Sequence, residues 1–163
     1  MKKLICRFIM APFIIIMIMI TILSCQKSNT DPAPLDPKFN LDVALKGASG
    51  SGFLKFRQNS DTSKMIALDI ELRDMMANHE YKLQRAVDTT IDGNCTGTAW
   101  LTLGKGLQPK SIITDGVGKG TEQLWRSVAS LATGSKFDIH FQIIDAITMA
   151  VVLKSDCYQY TVR

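Results

Sequence analysis

The chain has 163 residues, and 19 Lys and Arg against 15 Asp and Glu give it a net charge of +4. That excess is small and is not gathered into the clustered Lys and Arg that displace counterions from nucleic acid, so nucleic-acid binding is excluded as a reading. The length suits about one domain with a modest core.

The chain opens Met1-Lys2-Lys3-Leu4-Ile5-Cys6-Arg7, three positive charges ahead of an apolar run from Phe8 to Leu23. A charged start, an apolar middle and a small residue at its end describe a secretory signal peptide. The run holds 16 residues and is interrupted by Pro12, short for a membrane span of about 20. It ends Ile22-Leu23-Ser24-Cys25, which resembles the lipobox of bacterial lipoproteins. The resemblance implies acylation of the Cys25 thiol, cleavage before it and residence in the cell envelope. Gln26 stands where an aspartate retains many lipoproteins at the inner membrane in some bacteria, which points to the outer membrane. The expected organisation is a signal peptide over 1–24, a tether over 25–37 and a folded domain over 38–163. Without the signal, 16 basic side chains face 15 acidic ones. Membrane attachment is therefore expected through the lipid and not through a basic face. Gln26 to Asp36 reads QKSNTDPAPLD, rich in Pro, Asp, Ser and Asn with no apolar period, and so a flexible tether. Once Cys6 is removed and Cys25 acylated, Cys95 and Cys157 remain. Two thiols in an exported protein read better as a disulfide than as a metal site.

From Asn40 onward, short alternating segments predominate. Leu41, Val43 and Leu45 alternate with polar partners over Asn40 to Lys46, and a Gly-rich turn precedes a second strand that begins at Phe53. Met65 to Leu72 is a third, with Ala67 out of strict alternation. Further strands are predicted over Glu80 to Val87, Ser111 to Thr114, Gly120 to Trp125, Phe137 to Ile144 and Val151 to Val162. Met75-Met76-Ala77 and Val128 to Leu131 are candidate helical turns. Seven or eight strands at this spacing, with no long helical period, predict an all-β antiparallel sandwich or barrel.

Several of these segments together resemble the copper/zinc superoxide dismutases. Ala44-Leu45-Lys46-Gly47 followed by Gly52 to Gln58 is similar to that family's first hairpin. Leu72, Asn78, His79 and Tyr81 fall on its "L…HGF" segment, and Asp88 with Gly93-Asn94-Cys95 on "GD…C". Ile112 to Gly120 resembles its "N-V-x-A-D-x-x-G" hairpin, and Lys154 to Cys157 its "R-L-A-C". The resemblance implies an eight-stranded Greek-key barrel and a Cys95–Cys157 disulfide. It breaks at the metal. The copper motif "F-H-V-H" falls on Tyr81-Lys82-Leu83-Gln84, and a later copper histidine falls on Asp145. A protonated ammonium has no lone pair, and an amide is a poor ligand for Cu(II) or Zn(II). The zinc loop between Cys95 and Ile112 is short and holds no histidine, and the family's substrate-guiding loop is also shortened.

Other motifs read plainly. Met75, Met76 and His79 could hold Cu(I), but methionines also pack under barrel ends. Asp138 and His140, two apart on a strand, read as a surface pair. Gly116 to Gly120 lacks phosphate-loop spacing and reads as a hairpin turn. Glu80, Lys82, Gln84 and Arg85 read as a solvated face, and Trp100 and Trp125 as packing residues. The expected function is a non-catalytic envelope lipoprotein, a binding or structural module with no cofactor. Its partner beyond the membrane, protein or small molecule, is open. The alternatives are superoxide dismutation with copper and zinc, and periplasmic copper binding at Met75, Met76 and His79.

Overall fold

The computed structural model describes residues 36–163; the predicted signal, Cys25 and the tether up to Leu35 lie outside the described residues. Alternating apolar residues bury one face of each long strand. β1 (Asn40–Lys46) buries Leu41, Val43 and Leu45, and β2 (Ser51–Gln58) buries Leu54 and Phe56. In β3 (Met65–Arg73), Ile66, Leu68, Ile70 and Leu72 are buried and Met65, Ala67 and Asp69 face outward. Ala67 is therefore in strict phase, contrary to expectation: it is a small apolar residue on the outer face. β4 (Glu80–Asp88) leads into β5 (Leu101–Thr102), β6 (Gly104–Lys105), β7 (Gln108–Pro109) and β8 (Ser111–Ile113). β9 (Gly120–Ser127), β10 (Lys136–Asp145), β11 (Val151–Ser155) and β12 (Tyr158–Thr161) complete the order.

All twelve strands join one sheet, in the order β5-β4-β10-β11-β1-β2-β3-β9-β6-β7, with β12 on β10 and β8 on β4. β4 and β9 are not neighbours in it. Between them β8 pairs with β4 and reaches β9 through a Thr114–Gly120 bridge, while β5 pairs with β4 and β6 touches β9 at Lys105 and Trp125. The sheet thus curls into a nearly closed all-β barrel, its core filled by inward residues of every long strand.

Three local expectations change. The predicted final strand, Val151 to Val162, is interrupted at Asp156 and Cys157. β11 pairs with the second half of β10 and β12 with its first half. At the break Ser155 Oγ accepts from Phe141 N (2.9 Å) and donates to Asp156 O (2.7 Å), replacing ladder bonds. Neither candidate helical turn is helical: residues 77–78 and 129–130 are simple turns, the second closed by Leu131 N donating to Val128 O (2.9 Å). Gly118 at φ +77° lets the 115–119 turn lie against Met75, whose carbonyl oxygen is 2.1 Å from where a Cβ would stand.

Candidate functional site

Lys82 and Gln84 lie on β4 opposite in phase to the buried Tyr81 and Leu83, so they face the outside of the barrel wall. Gln84 is committed to a network: its Nε2 donates to Thr102 Oγ1 (3.0 Å), and its Oε1 accepts from Gln142 Nε2 (2.7 Å). Asp145, at the end of β10, is also fully engaged. Its Oδ1 accepts from the Ile147 and Thr148 amides (2.8 and 2.9 Å), and its Oδ2 lies 2.8 Å from His79 Nε2. These positions, where the family resemblance requires copper-binding imidazoles, hold two partnered side chains and an ammonium. Copper does not fit this donor set.

His79 and Asp145 are 66 positions apart and are brought together by the loops at one barrel end. Thr114 Oγ1 accepts from His79 N (2.9 Å) and donates to Met76 O (2.6 Å), and the Tyr81 hydroxyl accepts from Met76 N (3.2 Å). The His79 ring tilts against Tyr81 at 5.0 Å. The two thioethers diverge: Met75 packs against the core, whereas Met76 is exposed. Met75 is thus a packing residue. Among the described residues, no three His, Cys, Asp or Glu side chains converge as metal ligands.

The amides of Thr148 and Ile147, with His79 adding to them, hold the Asp145 carboxyl at about 2, below its ordinary 3.8. A carboxylate depressed on folding contributes stability above its unfolded pKa and loses it as pH falls through the folded one. The advantage of the native chain over Asp145→Asn is therefore expected to be full at pH 5 and to shrink between about pH 4 and pH 2. Urea unfolding of both at pH 5, 3 and 2 measures it; a gap unchanged at pH 2 would refute this assignment.

The segment between β4 and β5 folds over the outer face of β4 and β10. Cys95 is bonded to Cys157 (S–S 2.06 Å), as the resemblance implies. Asp138 Oδ2 accepts from the Asp92 and Gly93 amides (3.0 and 2.7 Å), and Asp88 Oδ2 from those of Thr96 and Gly97 (2.9 and 3.0 Å). His140 Nε2 lies 3.0 Å from Gly97 O, and its ring tilts against Trp100 with centroids 4.6 Å apart. Asp138 and His140 do share a face, but they are not the expected surface pair. The loop covers them, and Asp138 is fully buried, its Oδ1 without a hydrogen-bond partner among the described residues. Trp100 packs as expected, whereas Trp125 is 39% exposed and lies over Gly106, where φ is +69° and a Cβ would meet the indole at 2.7 Å.

Arg85 does not belong to the expected solvated face, because it follows the phase of Tyr81 and Leu83 and stands opposite the buried Phe141 of β10. On β9, Arg126 follows the phase of Leu124 and Val128 in the same way. Both guanidiniums line a cavity of about 140 Å³ whose other walls include Phe56, Leu68, Phe137 and Tyr160. Phe56, Leu68 and Phe141 are buried, whereas Arg85, Val87, Arg126, Leu131 and Phe137 are half-buried, so the space opens on their side. Burial, and secondarily the charge of Arg126, push the Arg85 guanidinium below its ordinary value. The signal was in the sequence: Arg85 and Arg126 each sit at i and i+2 spacing among apolar residues that face the core.

Comparison with protein-family models, curated proteins and solved structures finds no match to this chain.

Proposed function

We propose that the chain is an envelope-anchored lipoprotein, held by lipid on Cys25 at the outer membrane. Its superoxide-dismutase-like barrel is a non-catalytic binding or structural module. The observation that carries the non-catalytic reading is the engagement of Gln84 and Asp145. Each spends its polar atoms on fixed partners at a position where dismutation needs an imidazole. Topology supports the Greek-key form. Taking β5–β8 as one position and β11 with β12 as another, the ring has eight positions, and position 7 (β10) returns beside position 4 (β4).

The purified protein, incubated with excess Cu(II) and Zn(II) and then desalted, is expected to retain under about 0.1 metal per chain and to show no dismutation above buffer. Near-stoichiometric copper with dismutation would establish the enzyme instead. Copper held without activity, and lost on replacing Met75, Met76 and His79, would establish copper handling.

The anchor has its own test. Cys25→Ala is expected to abolish incorporation of a labelled fatty acid and to leave the precursor uncleaved. Persistent label on that variant would move the attachment point elsewhere.

A further inference from the structure

We propose that the cavity between β4 and β9 is a binding site for a small anion with an apolar body, a carboxylate of the aromatic or medium-chain acyl class, whose head group is taken by Arg85 and Arg126. Two observations meet in it. The walls supplied by Phe56, Ile66, Leu68, Leu103 and Phe141 are apolar and offer nothing to a polar ligand. Among the described residues, the only charges facing the space are two guanidiniums of like sign. Arg126 Nη1 donates to Gly106 O (3.1 Å), and among the described residues no carboxylate lies within ion-pair distance of either arginine. Glu122, which precedes Arg126 by four on the same face of β9, is already paired with Lys105 (3.2 Å).

Half-buried cations without a counter-ion are costly, and two facing one another more so. A carboxylate between them would relieve both terms at once, because the planar guanidinium fork matches its two oxygens. The Tyr160 hydroxyl does not compete for that role, since it donates to Gln58 Oε1 (2.7 Å). Size limits the rest of the ligand. A dry cavity of about 150 Å³ takes benzene, so about 140 Å³ admits a ring or a short chain and excludes a long acyl tail. The seam also explains how an opening is tolerated: β4 and β9 are spanned there only by two-residue strands. This site shares no residue with the degenerate copper positions, so it stands apart from the metal question.

The test is titration of the purified protein with benzoate and with hexanoate, each against its neutral counterpart, benzyl alcohol or hexanol, followed by calorimetry. At least one carboxylate is expected to bind at least about 10-fold more tightly than its alcohol. Arg85→Met and Arg126→Met should each weaken it by about 10-fold, as expected for one lost charged hydrogen bond. Val128→Phe, which fills the space, should abolish it. Preference for benzoate identifies the aromatic class and preference for hexanoate the acyl class. Absence of binding by both carboxylates, equal binding of the alcohols, or wild-type affinity in both folded arginine variants overturns the proposal. If either arginine variant does not fold, the acid-against-alcohol comparison on the native chain decides.

Discussion

Phe141→Ala is expected to lower the free energy of unfolding by about 4 kcal/mol, near the upper part of the range for large-to-small core changes. Phe141 is 1% exposed at the middle of β10, the strand that pairs with β4, β11 and β12. Its ring meets Phe56 edge-on at 6.2 Å, and Phe56 in turn meets Tyr160 at 4.8 Å. Truncation removes the ring's transfer energy and breaks one aromatic contact, itself worth about 1 kcal/mol. It also enlarges a cavity that already exists, so the neighbours cannot close over the gap as they would in a filled core. Urea unfolding reads the effect as a lower midpoint at unchanged slope. A loss below about 2 kcal/mol would mean that the barrel wall collapses inward, and the cavity should then be absent from the variant.

Opening the Cys95–Cys157 bond, by reduction or by Cys157→Ser, is expected to cost about 4 kcal/mol from loop-closure entropy over 62 positions, less any strain released. For a domain of this size the melting temperature should fall by roughly 10 °C. The loss should also be local. The bond ties the segment that covers Asp138 and His140 to the break between β11 and β12, so exchange at the Asp92, Gly93 and Gly97 amides should accelerate beyond the global change. Calorimetry with amide exchange on both forms measures this. In the wild-type protein, denatured without reduction, neither Cys95 nor Cys157 should react with a thiol reagent. An unchanged melting temperature would show that Asp88, Asp138 and His140 hold the loop without the bond.

Local chemistry was enough to assign most of the framework. A period of two places Leu41, Val43, Leu45, Leu54, Phe56, Ile66, Leu68, Ile70 and Leu72 on one face of their strands, and all are buried. The expectation that two thiols left after an export signal would pair holds for Cys95 and Cys157, which are bonded. Alternation also puts Arg85 and Arg126 on the inward side, and Arg85, whose charge pointed to a solvated face, lines the cavity with Arg126.

The rest depended on what lies far away in sequence. Strands of two residues, such as β5 to β7, have no period to detect; they form because β4 and β9 leave edges to be paired. The covering of Asp138 and His140 by residues 92 to 100, and the meeting of His79 with Asp145, come from loops that fold back on a finished barrel. The sequence by itself determined which side of each strand is apolar, because alternation is a property of neighbouring residues. Only the tertiary structure decided what covers the outer side and where the inner side is left unfilled, because both follow from volumes brought together by long-range pairing.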